Sequence, residues 1–310
     1  MTVLCVGDPL VALLPGMPTQ LDQADQLHVH VGGAEVNTAI GLARLGVASS
    51  WLGRVGADRL GERVIRTLRE EGVGTELVVI DPDAPTGLYL REWQPDGIRR
   101  PFYYRSGSAG SRLEATDWRA EFTPTALHIT GITPALSPTA AAAIEAMVVR
   151  ARGLGALVSF DPNYRPALWS SRVAARAVIG RLAAQADLVL MSEDDAELLV
   201  DSLDPERVFA AIEADQVVFK RGADGAIARR GKEILLQPAH PVRDPVDPVG
   251  AGDSFNAGFL AGLLSQASLA DCLRLGALCG ARTVAQVGEH SGAPYRSELP
   301  DALQSVLAER

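Results

Sequence analysis

Five short apolar runs constrain this chain more than any other feature: "TVLCVG" (2–7), "ALHIT" (126–130), "ALVSFD" (156–161), "DLVLM" (187–191) and "QVVFK" (216–220). They are nearly continuous rather than alternating, so as strands they would expose apolar side chains on both faces of a sheet. Segments with apolar residues at helical spacing lie between the later runs, near 137–152, 172–184 and 193–201. Strands needing cover on both sides, alternating with helices, predict an α/β fold of three layers, helix on sheet on helix, with a mostly parallel central sheet. "AEVNTAIGLARLG" (34–46) and "RLGERVIRTLREEG" (59–72) add two amphipathic helices, each ending at a glycine. "TELVVI" (75–80) reads as one more strand.

Residues 86–105, "TGLYLREWQPDGIRRPFYYR", break this rhythm, because two alternating segments flank "QPDG" with no helix between them. That is a hairpin signal. With the extended stretch "DQLHVHV" (25–31), it predicts a small β-lid, formed by about 10–31 and 86–105, on a single domain covering 1–310. His28 and His30 share a face of that stretch without a third metal ligand and read as lid surface, while His128 reads as core.

Charge narrows the function classes. The 29 basic residues against 38 acidic ones give a net charge of −9, and a nucleic-acid or acidic-membrane surface needs clustered cations instead. Three cysteines, Cys5, Cys272 and Cys279, show no paired spacing, which suits a reducing cytoplasm. The N-terminal "MTVLCVGDPLVALLPG" lacks a basic leader, and no apolar run approaches the roughly 20 residues that span a bilayer. Only Lys220 and Lys232 are lysines, and Lys220 sits beside the glycine-rich "RGADG".

In "GAGDSFNAGFLAGLL" (250–264), apolar spacing starts a helix near Ala251. Gly250 and Gly252 leave the backbone bare there, so the amides of Ala251, Gly252 and Asp253 can converge on an anion. An aspartate at such a turn serves equally well as a helix cap. Spacing excludes a phosphate-binding P-loop, and Phe255 fills the third glycine position of a dinucleotide fingerprint.

Together "VGGAEVNTAIGLARLG" (31–46), "KRGADGA" (220–226) and "DPVGAGDSFNAG" (247–258) resemble, in order and separation, the motifs of the ribokinase-like (PfkB) sugar kinases. The resemblance implies an ATP-dependent kinase whose magnesium bridges the nucleotide phosphates. It makes Asp253 the general base and Gly250, Ala251, Gly252 and Asp253 the anion hole. The dipole of the helix N-terminus should keep Asp253 ionised and a weak base. Gly32, Gly33 and Asn37 would line the sugar side. Lys220, Gly222 and Gly225 would form the nucleotide loop, with the adenine near Ala277 to Val284. Where the family carries Asn-x-x-Glu near the phosphates, this chain has Ser192 and Asp195, which leaves direct metal ligands unassigned. Asn163 is a further phosphate-side candidate, and the resemblance admits a potassium ion on the loop carrying Asp247.

The substrate has to be read from pocket residues. Fructokinase-like members carry an acid a few residues after the first strand, where this chain has Ala12. Tyr103 and Arg105 share a strand face, Tyr89 lies in the partner strand, and Arg165 follows a strand's C-terminal end. That set, with "DPNYRP" (161–166), resembles the 2-keto-3-deoxygluconate kinases, whose acid end a guanidinium would bind. Kinases of fructose, ribose or a nucleoside are the alternative, and a sensor that kept the fold is a second one. Glu289 is placed near substrate by spacing alone. Exposed lid strands invite pairing with a second copy, giving a homo-oligomer.

Overall fold

The computed structural model describes residues 1–16, 18–93 and 99–307, leaving out the side chain of Arg99. The "QPDG" turn lies outside the described residues. In chain order the elements are β1 (Val3–Val6), β2 (Leu10–Pro15), β3 (Leu27–Gly32), α1 (Ala34–Arg44), β4 (Ser49–Leu52), β5 (Arg54–Gly56), α2 (Arg59–Glu70), β6 (Val79–Asp81), β7 (Leu88–Trp93) and β8 (Arg99–Tyr104). There follow β9 (Ala126–Thr130), α3 (Pro138–Gly153), β10 (Leu157–Asp161), α4 (Arg172–Ala183), β11 (Leu188–Met191), α5 (Glu193–Val200), α6 (Pro205–Ala211) and β12 (Gln216–Lys220). The chain closes with β13 (Ala226–Arg230), β14 (Glu233–Gln237), α7 (Ala251–Leu264), α8 (Leu269–Val284) and α9 (Asp301–Val306).

The main sheet has eight strands in the order β14-β13-β12-β11-β10-β9-β1-β4. The strands from β4 to β12 run parallel, and β13 turns back against β12. Strand alternation divides the core as the apolar runs require. Val3 and Cys5 face the layer of α1, α2, α7 and α8, while Leu4 and Val6 face the layer of α3 to α6. Glycines let helices close tightly: a side chain at Gly258 would meet the Leu275 carbonyl at 2.7 Å, which is why α7 and α8 lie in contact.

A second sheet, β3-β2-β7-β8, stands apart as the lid, with β2 antiparallel to β3 and parallel to β7. One expectation fails. Of "TELVVI" only Val79 and Ile80 are strand, and β6 pairs with β5 in a separate two-stranded ladder. Leu77 is buried but Ile80 is exposed, so this run covers an edge instead of entering the sheet. Among the described residues no helix is long and apolar enough to cross a membrane.

After β1 the chain goes to β4 on one side and then to β9 on the other, so the order reverses between β1 and β9. Open α/β sheets bind ligands outside the carboxyl ends of strands at such a point. Asp8, Asp161, Asn163, Ser192 and Lys220, from the ends of β1, β10, β11 and β12, all line one cleft there.

Candidate active site

The cleft has a volume of 610 Å³, and the lid residues Tyr89, Arg91, Tyr103 and Arg105 form its far wall. A crevice of 640 Å³ adjoins it, lined by Gly225, Ala239, Pro245, Phe255, Ala277 and Val284 among others. The two share Lys220, Gly222, Pro248 and Gly252, so a ligand in one can reach the other past the start of α7. A third hollow, 540 Å³ beside Arg54 and Asp81, has its guanidinium engaged by Asp117, and the helix start that it borders, that of α3, is capped by Ser137.

Most helices here begin with a side-chain cap, such as Asp58 on α2, Ser137 on α3, Ser171 on α4 and Ser268 on α8. The two whose N-cap is glycine, α1 at Gly33 and α7 at Gly250, have none, and both start at the cleft. Gly250 adopts φ +81°, and a side chain on it would fall 1.8 Å from the Glu289 carbonyl, so only glycine fits. The N–H groups of Gly250, Gly252 and Asp253 find no acceptor among the described residues. The N–H of Ala251 instead donates to the Pro248 carbonyl at 3.2 Å, because the turn that exposes its neighbours consumes it. That removes Ala251 from the expected anion hole.

Asp253 lines the cleft, and its Oδ2 accepts from Asn37 Nδ2 at 2.8 Å. Asn37 also donates to Glu289 Oε2 at 3.1 Å, the same oxygen that accepts from the Gly33 N–H at 3.0 Å. Tyr89 donates its hydroxyl to the other Glu289 oxygen. Gly32 does not face the cleft: it packs on the Glu289 carboxylate. Glu289 thus organises the glycines and Asn37, which spacing alone hinted at.

The expectation that Asp253 stays firmly ionised is overturned. Burial, with further push from Asp161 and Glu289, raises its pKa to about 7 against the Asn37 hydrogen bond and Lys220. A helix N-terminus is worth about 0.3–1 kcal/mol, whereas a shift of this size corresponds to about 4 kcal/mol. Desolvation wins. At neutral pH the carboxyl is poised between its forms, which suits a general base. Glu35, below it, is likewise raised by burial to about 7, although Thr130 Oγ1 donates to it at 2.6 Å.

On the nucleotide side, Lys220 Nζ lies 2.8 Å from Asp161 Oδ2 and 3.0 Å from Asn256 Oδ1, and Asn256 Nδ2 donates to Asp161 at 2.6 Å. Burial works to raise the Asp161 pKa, but the Lys220 charge and these hydrogen bonds hold it below the usual carboxylate range. Gly222 lies at the neck and Gly225 in the crevice, with Ala277 and Val284 opposite. Ser192 and Asp195 are engaged with each other: Asp195 accepts from the Ser192 N–H and hydroxyl, both at 2.7 Å, and from the Tyr164 N–H at 2.8 Å. They form the capping box of α5. The exposed Glu193 and Asp194 beside them, with Asn163, face the cleft. No group of three or more metal-ligating side chains occurs among the described residues.

The acceptor side contains an acid at a position other than Ala12. Ala12 is buried in the lid, but Asp8, at the end of β1, lines the cleft and pairs with Arg105 at 2.5 Å. The acid is therefore present, joined to the guanidinium expected to bind substrate. Arg105 stacks over Tyr103, whose ring lies 5.5 Å from that of Tyr89. Arg165 lines the same cleft, exposed, and its guanidinium makes no hydrogen bond or ion pair among the described residues. Arg91 pairs with Asp247 at 2.5 Å, so a potassium ion on that loop would share its carboxylate with a guanidinium. The sequence could have revealed Asp8, since "DP" follows a strand end there as it does at Asp161. Arg91 was within reach too, two residues from Tyr89 on one strand face.

The pattern of the pfkB family carbohydrate kinases matches residues 2–296. A 2-dehydro-3-deoxygluconokinase of Bacillus subtilis is 35% identical over 281 residues, covering 89% of this chain and 87% of that one. A fructokinase of Vibrio alginolyticus is 30% identical, covering 96% and 97%. A PfkB protein from Polaromonas sp. JS666 superposes with a TM-score of 0.87 at 33% identity, over 96% and 98% of the two chains. The chain is therefore a member of the pfkB carbohydrate kinase family, an ATP-dependent sugar kinase.

Proposed function

We propose that the acceptor is 2-keto-3-deoxygluconate, whose terminal hydroxyl receives the γ-phosphate of ATP to give the 6-phosphate. The observation that carries this reading is the unengaged guanidinium of Arg165 in the same cleft as Asp253. A carboxylate on the substrate would complete it. Arg105 adds a second guanidinium, oriented by Asp8, with its Nε left without an acceptor. The similarity to a 2-dehydro-3-deoxygluconokinase supports the same choice.

ATP lies along the crevice with its phosphates at the neck. There Lys220 and the N–H groups of Gly250, Gly252 and Asp253 meet the transferring group. Phosphoryl transfer passes through a loose transition state, so positioning and charge stabilisation do most of the work. Asp253 takes the hydroxyl proton as the new phosphorus–oxygen bond forms. Magnesium neutralises the β/γ oxygens when bound; Glu193 and Asp194 would hold its water shell, since magnesium keeps several waters and few carboxylates. The lid excludes water from the cleft.

A neutral sugar is the second reading. Asp8 Oδ1 is buried without a partner, an acceptor suited to a sugar hydroxyl, and a fructokinase is also similar. A coupled assay over sugars and sugar acids, on wild type and Arg165→Ala, separates the two. Losing a bidentate contact should cut kcat/KM for the acid about 100-fold and for fructose less than about threefold. Equal losses on both would remove the carboxylate clamp.

The lid sheet ends in the edge strands β3 and β8, with Tyr103 and Tyr104 exposed. We propose that two copies pair through it, and a native mass equal to the 32.8 kDa chain would exclude that. The three cysteines are free and buried, consistent with a cytoplasmic enzyme.

A further inference from the structure

Arg91 has no part in the scheme above, yet it occupies a special place. It projects from lid strand β7 on the same face as Tyr89, two residues away. Both its terminal nitrogens reach Asp247, Nη1 to Oδ1 at 3.2 Å and Nη2 to Oδ2 at 2.5 Å. Both side chains are almost wholly buried, at 4% and 0% exposure. Burying an ion pair is costly in desolvation and is weak evidence for stability as such. A two-pronged guanidinium–carboxylate contact does fix orientation, however.

What it orients is the loop ahead of α7. Asp247 Oδ1 also accepts the Val249 N–H at 3.2 Å, and the Val246 and Asp247 N–H groups donate to the Val284 carbonyl at 2.8 and 3.0 Å. The next residue after Val249 is Gly250, pressed on the Glu289 backbone, and Gly250, Gly252 and Asp253 carry the free N–H groups. Glu289 in turn accepts from Tyr89. One face of one lid strand therefore holds both carboxylates that bracket the anion-binding turn.

We propose that Arg91 is a positioning residue for phosphoryl transfer, acting through Asp247 to hold the 247–250 loop so that the N–H groups at the start of α7 meet the transferring phosphate. It stabilises the transition state without contacting either substrate. This rests on the kinase activity and not on the identity of the acceptor.

The test is steady-state kinetics on the full chain with whichever acceptor the wild type turns over fastest, using Arg91→Ala, Asp247→Ala and the double variant. Because ångström-scale misplacement of a reacting group costs about 100-fold, kcat should fall about 100-fold in Arg91→Ala. KM for ATP and for the acceptor should stay within about threefold. The double variant should be no slower than the slower single one, since both remove the same contact. Arg91→Lys keeps the charge without the fork and should recover at most about tenfold. If the alanine variants do not fold, Arg91→Lys and Asp247→Asn form the same cycle. Losses that multiply in the double variant would overturn the proposal. So would a rise in acceptor KM with kcat held, which would make Arg91 an ordinary substrate contact. An acceptor-independent loss separates this role from that of Arg165.

Discussion

The acceptor cleft and the nucleotide crevice are nearly equal in size, 610 and 640 Å³, and differ in almost everything else. Charges crowd the cleft, and three ion pairs hold five of them: Asp8 with Arg105, Asp161 with Lys220, and Arg91 with Asp247 behind the wall. The crevice is lined mostly by alanine, glycine, proline and valine, with Phe255 in its wall, Lys220 at its mouth and His240 as its other ionisable side chain. A site built from matched charges recognises a substrate through orientation, so losing one partner strands the other. A site built from backbone and small side chains recognises by shape and should respond in proportion to added volume.

The largest effect should come from the cleft. Asp253→Asn removes the proton acceptor and should lower kcat about 10³-fold, while ATP affinity by calorimetry stays near wild type. The pKa of about 7 adds a signature in wild type. Asp253 accepts a proton only when ionised, so kcat/KM should fall with acidity below about pH 7, tenfold per unit. A profile flat down to pH 5 would deny Asp253 that role.

Glu35 tests whether buried charge in this region is a burden to folding. Its folded pKa of about 7 lies above the unfolded value near 4.5. The folded chain therefore holds a proton that the unfolded chain releases between those values, and stability is lost as pH rises through that window. Glu35→Gln still accepts from Thr130 but cannot ionise. It should gain about 3 kcal/mol over wild type on going from pH 4.5 to pH 8, measured by urea unfolding. An equal change at both pH values would contradict it.

The crevice should show the smallest and most selective response. Ala281→Leu places extra carbons where adenine would lie and should raise KM for ATP about tenfold, about 1.4 kcal/mol. The acceptor KM should move less than about twofold. Comparable changes in both constants would mean that the cavities do not act separately.

Local pattern carried much of this protein. The apolar runs, their helical spacers and the glycine ends of α1 and α2 are set by periodicity within a dozen residues, and so were readable without coordinates. The bare turn before α7 was readable for the same reason, although the loss of the Ala251 N–H depended on how the turn closes. "TELVVI" misled because an apolar run does not say which surface it covers.

Sequence alone determined which side chains could do chemistry: an aspartate at an uncapped helix, a lysine beside a glycine loop, and arginines near the lid. Tertiary structure decided which of them remain free. Asp8 meets Arg105 across 97 residues and Arg91 meets Asp247 across 156, distances over which no periodicity communicates. It also decided the proton affinity of Asp253, because desolvation depends on everything packed around a group and not on its neighbours in the chain.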